Sequence, residues 1–103
     1  MFEVTRGAAK QIRKTAGDGD MEELALRVSA NREPDGSISY RMGFDEFAEG
    51  DTVVSTRGVD VLLRTNDKSL LQGATLDFVE IEPGQMQFIF MNPNDPSFVP
   101  PTE

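Results

Sequence analysis

Eighteen carboxylates, with no cysteine and no histidine among 103 residues, set the chemistry open to this chain. Losing both residue types removes thiolate nucleophiles, disulfides, thiolate and imidazole metal sites and imidazole general bases together. Carboxylate, hydroxyl, amide, guanidinium and ammonium groups remain. Paired carboxylates do acid–base work where a pocket raises one pKa, and several converging carboxylates hold a hard cation. Three places offer carboxylates. Asp35 lies in Glu33-Pro34-Asp35-Gly36, where turn chemistry already accounts for it. Phe44 to Asp51 carries Asp45, Glu46, Glu49 and Asp51, but a calcium loop begun at Asp45 would need an oxygen ligand at position three, where Phe47 stands. That run reads as a solvated acidic loop. Asp77 sits between Leu76 and Phe78 and by alternation faces away from both, toward solvent or a partner strand. No nucleophile–base pair can be named. The expectation is a protein that is not an enzyme, with no catalytic, cofactor-binding or metal-ligating residue assigned. Tyr40 and the phenylalanines read as core.

Charge narrows the partners. A net charge of −8 argues against nucleic-acid backbones and anionic membrane surfaces. Arg6, Lys10, Arg13 and Lys14 run against that balance, with no acid between them. Their bland reading is a solvated helix face and the sharper one a docking face for an acidic partner protein. The hydrophobic fraction of 38% beside 27% charged residues is that of a globular domain. No apolar run approaches the length of a bilayer span. MFEVTRGAAK has no apolar signal core, so the cytoplasm is the expected location.

The elements that would position these groups are mostly strands. Phe2-Glu3-Val4 opens as a short strand, and Thr5 then caps a helix from Arg6 to about Ala16. Val4 is placed to staple onto Ala9, and Gly17 ends the helix. Strands follow at about Glu23 to Asn31 and Ser37 to Phe44, with Ile38, Tyr40, Met42 and Phe44 on one face, joined as a hairpin. Two more span Thr52 to Thr56 and Val59 to Arg64, split by Arg57-Gly58, with Val59, Val61 and Leu63 facing in. Asn66 caps a short helix, Asp67 to Gln72, which Gly73 terminates. The final hairpin pairs Ala74 to Glu82 with Met86 to Met91 about a type II turn at Pro83-Gly84. Met86 to Met91 is apolar but for Gln87, which predicts a strand buried on both faces. Leu76, Phe78, Met86, Phe88 and Phe90 share one phase, joined by Ile81 after a phase change, and this hairpin is expected to hold the core. Asn92-Pro93 stops the last strand, and the proline-rich segment beyond it is expected to be mobile.

Leu70-Leu71-Gln72-Gly73-Ala74-Thr75-Leu76-Asp77-Phe78-Val79, then Phe88-Ile89-Phe90-Met91-Asn92-Pro93-Asn94, together resemble the A-type iron–sulfur carrier family, the HesB/IscA-like proteins. Thr5, Ala8, Ala9 and Ile12, Leu26-Arg27-Val28 and Tyr40 also fit. The resemblance implies a mainly β (α+β) fold of curled mixed sheets, a pseudo-barrel, with a short N-terminal helix and one short helix before the final hairpin. It implies a single domain over residues 1–98, with 99–103 as a flexible tail. In that family three cysteines hold iron or a cluster. One lies five residues before the aromatic residue matched by Tyr40, a position that is Asp35 here. The others form a Cys-Gly-Cys after Asn-Pro-Asn, and here Asn94 runs directly into Asp95-Pro96-Ser97-Phe98. Clusters need thiolates or, exceptionally, imidazoles, so this chain is expected to carry no cluster and no other cofactor. A cysteine-free branch of the family accompanies the dissimilatory sulfite reductase system of sulfur-oxidising bacteria. Likeness to it implies an accessory or regulatory role there through protein partners, as a monomer or weak homo-oligomer. The alternative is mononuclear iron binding through carboxylates, with Asp35 where a thiolate would stand.

Overall fold

The computed structural model describes residues 2–96. In chain order the elements are β1 (Glu3–Val4), α1 (Arg6–Asp18), β2 (Ala25–Arg32), β3 (Ile38–Asp45), β4 (Thr52–Thr56), β5 (Val59–Leu63), α2 (Thr65–Lys68), β6 (Thr75–Glu82) and β7 (Gln85–Met91). They form two mixed sheets, β1-β6-β7 and β3-β2-β5-β4. Each has one parallel pair, β1 with β6 and β2 with β5, and is otherwise antiparallel. The sheets do not close into a barrel. One seam is spanned by the Val4 amide, which donates to Thr56 Oγ1 at 3.2 Å. The other is spanned by the Tyr40 and Phe90 rings, stacked 4.2 Å apart and within 5° of parallel. The expected mainly β fold with two short helices is what forms, as curled mixed sheets with open seams.

Thr5 starts α1 as expected, its Oγ1 accepting from the Ala8 amide at 3.1 Å. The helix ends later than expected. Gly17 lies inside it, and Asp20 takes the left-handed residue of the cap at φ 57°. The Met21 amide returns to the Ala16 carbonyl at 2.7 Å and the Asp20 amide to Gly17 at 3.4 Å. That double return is the Schellman arrangement, and it satisfies carbonyls the helix would otherwise leave open. Ala8, Ala9, Ile12 and Ala16 are buried, so the narrow apolar stripe packs against the sheets.

The core does not sit where the apolar run of the final hairpin placed it. Of that hairpin only Ala74 and Leu76 are fully buried, with Phe78, Phe88 and Phe90 partly buried against the core. The interior is formed by α1, Phe2 and Val4, with Leu26, Val28 and Ala30 of β2, Ile38, and Val59, Val61 and Leu63 of β5; Leu71 and Ala74 close it. β7 lies at a sheet edge and, among the described residues, has a neighbour on one side only. A continuous apolar run does not distinguish an edge strand from a central one. The phases themselves hold: Leu76 faces Phe90, Phe78 faces Phe88 and Glu80 faces Met86, with the register shifting between Glu80 and Glu82. Ile81 is therefore a bulge residue, which is its change of phase. Pro83-Gly84 makes the turn, with Gly84 at φ 83°.

α2 covers only Thr65–Lys68, and Arg64 caps it without a side-chain bond, so the expected helix to Gln72 under an Asn66 cap does not form. The reason lies in the tail. Asn92 Nδ2 takes the Leu70 carbonyl at 2.7 Å and Asn94 Nδ2 takes the Gln72 carbonyl at 2.8 Å, and the Leu71 amide is shared between the Asp67 and Lys68 carbonyls. Arg57-Gly58 makes the expected β4–β5 turn with both residues at positive φ, 51° and 81°. This is the primed geometry of a two-residue hairpin, which Arg adopts under strain. The expected tail 99–103 lies outside the described residues.

Candidate functional site

The β2–β3 turn and the segment after β7 meet at one end of the molecule. In the turn, Asp35 Oδ1 accepts from both the amide and the hydroxyl of Ser37, at 3.0 and 2.7 Å, which closes an Asx turn. These bonds hold the Asp35 carboxyl below the usual aspartate range. Glu33 is held low in the same way by Ser39 and Asn31. Arg32 ties the turn to the tail: Nη1 donates to the Gly36 carbonyl at 2.6 Å and Nη2 to the Asn94 carbonyl at 3.4 Å. A Cβ at Gly36 would stand 3.9 Å from Pro96 Cγ.

The tail is fastened by its own amides. Asn92 is fully buried, and its Oδ1 accepts from the Asn94 amide and from Asn94 Nδ2, both at 3.0 Å. Tyr40, half-buried, stacks on Phe90 and donates its hydroxyl to Asp95 Oδ2 at 3.4 Å. Burial first, then the charge of Asp95, pushes its phenol up. The position read as the first thiolate, Asp35, is thus brought beside the segment where the other two would follow.

The donors at this junction do not fit a cluster. Glu33, Asp35 and Asp95 offer oxygen only, and Asp35 already serves its own turn. Iron–sulfur clusters are held by sulfur or, exceptionally, imidazole nitrogen, and the chain contains neither cysteine nor histidine. Among the described residues, no three carboxylates converge closely enough to hold a metal ion.

Asp77 has a different task from the acid–base one weighed for it. Its Oδ1 accepts from Thr5 Oγ1 at 2.6 Å and from the Phe78 amide at 2.8 Å. The Thr5 hydroxyl therefore caps α1 while its proton goes to β6, locking the helix start to the sheet.

The run from Phe44 to Asp51 is exposed from Asp45 to Gly50, as expected, but its two ends are tied down at Asp45 and Asp51. Arg27, on the face of β2 away from the main core, reaches into it: Nε to Asp45 Oδ2 at 2.7 Å, Nη1 and Nη2 to Asp51 Oδ1 and Oδ2 at 2.9 and 2.7 Å, and Nη2 to the Glu46 carbonyl at 3.2 Å. The Arg27 and Asp51 side chains keep only 10% and 3% of their exposure. The bidentate guanidinium holds Asp51 down at about 2 and Asp45 below its ordinary value, while both carboxylates hold Arg27 above its own. The Ala48 amide adds a bond to Asp51 Oδ2 at 2.8 Å. Glu46 and Glu49 remain exposed, as does Phe47.

Of the basic helix residues, Arg13 Nη1 bonds the Arg57 carbonyl at 2.8 Å and Lys14 pairs with Asp18 at 3.0 Å, both on the surface. Arg6 and Lys10 are exposed.

Arg27 and Asn92 are the residues that sequence reasoning missed. Arg27 stood in an alternating strand, and its partners lie 18 and 24 residues on, so no local pattern marks them. Asn92 had a local signal: an Asx side chain bonds backbone two residues ahead, and Asn92-Pro93-Asn94 has that spacing.

No family model matches the chain. Individual relatives do. It is 36% identical over 92 residues to the iron–sulfur cluster insertion protein ErpA of Alkalilimnicola ehrlichii, covering 88% of this chain and 75% of that one. ErpA of Pseudomonas putida is 33% identical over 94 residues, covering 90% and 80%. Among solved structures, an IscA crystal structure with a [2Fe-2S] cluster superposes at a TM-score of 0.75 with 23% identity, over 90% of this chain and 86% of that one, a likeness of fold. A solution structure of a protein from Aquifex aeolicus gives 0.66 with 33% identity, over 89% and 91%. With this sequence likeness, this superposition and the meeting of turn and tail, the chain belongs to the HesB/IscA/ErpA family of iron–sulfur cluster carrier proteins.

Proposed function

We propose that this protein is a non-catalytic accessory or regulatory member of the family that acts by binding protein partners and carries no cluster. One observation carries the reading: at the junction where turn and tail meet, every donor is oxygen, and Asp35 is already bonded to Ser37. The relatives are named for cluster insertion, and insertion requires a recipient protein. A member without sulfur ligands keeps the recognition part of that task and drops the cargo. Within the family the chain resembles DsrR, and this likeness supports reading its role as one in dissimilatory sulfur oxidation; a cytoplasmic location and a monomeric or weakly self-associating state belong to the same reading.

Anaerobic reconstitution tests the reading. The protein is incubated with ferrous iron and sulfide beside the Pseudomonas putida ErpA relative, desalted, and assayed for visible absorption, iron and acid-labile sulfide. The ErpA relative is expected to retain both elements and this chain neither. Retained iron and sulfide in stoichiometric amounts would sink the proposal. Iron held without sulfide, with binding heat in calorimetry, would replace it with a carboxylate iron carrier. Sulfite reductase genes beside the coding gene are the expected neighbourhood, and a cluster-assembly operon there would remove the sulfur-oxidation assignment.

A further inference from the structure

β7 is an edge strand of a kind that proteins normally guard against. Its seven residues, Gln85 to Met91, contain no charge, proline or glycine. Long, flat, apolar edges recruit further strands, and natural chains blunt them with lysine, proline or cover. The other edges here are blunted. β1 is two residues long, β3 carries Arg41 and Asp45, and the end of β4 is covered where Thr56 accepts from Val4. Among the described residues nothing pairs with the outer side of β7.

The inward faces beside this edge are also incompletely covered. Along β3 the interior phase runs from buried Ile38, through Tyr40, to Met42, which is exposed. Along the last hairpin it runs from buried Leu76 to Met86, which is 52% exposed. The seam is closed at one end by the Tyr40–Phe90 stack and opens from there. A cleft of about 130 Å³ lies in the open part, lined by Ile12, Leu26, Met42, Phe44 and Phe88.

We propose that an extended segment of a partner protein adds as a strand to the free edge of β7, setting alternate apolar side chains over Met86 and the cleft at Phe88. Charge selects the segment. The chain carries −8, and Glu82 stands directly across from Gln85, on the face of the hairpin opposite Met86 and Phe88. An added strand would lie two strand spacings from Glu82, about 10 Å, within the combined reach of a lysine and a glutamate. The segment is therefore apolar at every second position and carries lysine or arginine between. A second copy of this chain fits less well, because it brings another −8 and its own β7 has no cation to offset it. The inference rests on the protein-binding part of the proposed function and makes no use of the cluster question, so the reconstitution result and this one can fail separately.

The test uses the full chain and a synthetic peptide, Lys-Val-Lys-Phe-Lys-Val-Lys, with an analogue N-methylated at alternate amides. The analogue keeps charge and side chains but cannot extend a ladder. The peptide is expected to slow amide exchange selectively in 85–91, and the analogue to bind about tenfold or more weakly, as several backbone hydrogen bonds are lost. M86K, at an exposed position, is expected to fold and to lose peptide affinity. Equal binding of the two peptides would reduce the contact to bulk electrostatics and overturn the proposal, as would no binding, or protection confined to other strands. The β7 amides that face β6 are already bonded; protection, without peptide, of those that face outward would also overturn the proposal: rising with protein concentration, it would assign the edge to a second copy; independent of concentration, to the chain's own tail.

Discussion

Replacing Asn92 by Ala tests the junction at its centre. Besides its bond with the Tyr40 hydroxyl, the fully buried side chain makes three hydrogen bonds that fasten the tail: Nδ2 to the Leu70 carbonyl at 2.7 Å, and Oδ1 from the Asn94 amide and from Asn94 Nδ2 at 3.0 Å each. At a net value of about 1 kcal/mol per bond, losing these three in Asn92→Ala has an upper cost of about 3 kcal/mol. Two effects lower it. Leu70 keeps a second donor, Asn94 Nδ2 at 3.2 Å, and Asn94 is exposed, so its amide can turn to water. The expected loss is about 2 kcal/mol, or about 8–16 °C in Tm for a domain of this size. Circular dichroism melting measures the shift, and urea titration checks that the midpoint moves with the slope unchanged. Asn94→Ala removes donors at an exposed position and is expected to cost about half as much. A Tm within about 3 °C of the wild type, or a larger effect from Asn94→Ala than from Asn92→Ala, would refute the claim that the buried amide fastens the tail.

Two further outcomes follow from groups outside the junction. Arg57 sits at φ 51° in a turn that favours Asn-Gly, while its bond to Arg13 uses only its carbonyl; Arg57→Asn is expected to raise stability by about 0.5–1 kcal/mol, measured by urea denaturation, and a loss of stability would show the strain assignment wrong. Asp51 is held at about 2 by Arg27. Its folded value lies below the unfolded one, so its contribution is complete above the ordinary aspartate pKa of about 3.9 and is lost as pH falls toward 2. The melting temperature of the wild type is expected to drop more steeply across that window than that of Arg27→Met, and parallel curves would remove Arg27 as the cause.

The strands were legible because their signals are local. Ile38, Tyr40, Met42 and Phe44 alternate within eight residues, and Pro83-Gly84 states its own turn. What failed depended on partners far along the chain. The rank of β7 as an edge is set by which strands lie beside it, and no pattern within Met86 to Met91 encodes that. The Gln72 carbonyl is capped by Asn94, 22 residues later, so the shortness of α2 cannot be read from Asn66 to Gly73. The acidic run was read by its average charge, whereas its structure depends on one arginine 18 residues before Asp45. At the candidate site, the absence of cysteine and histidine is a matter of composition and was plain from the start. The meeting of the Asp35 turn with the tail was legible only through the family resemblance, since nothing near Asp35 points to Asn94.

The parallel pairing of β1 with β6 sets Glu3 beside Thr75 and Val4 beside Leu76, and Asp77 then bonds Thr5 across 72 residues of sequence. During synthesis β1 therefore waits for a segment 72 residues further along the chain. Until residues 75–77 emerge, Phe2 and Val4 have no neighbouring strand and the start of α1 lacks its carboxylate anchor. Contacts of such long span slow folding, and during that interval the nascent chain exposes apolar side chains that the finished protein hides.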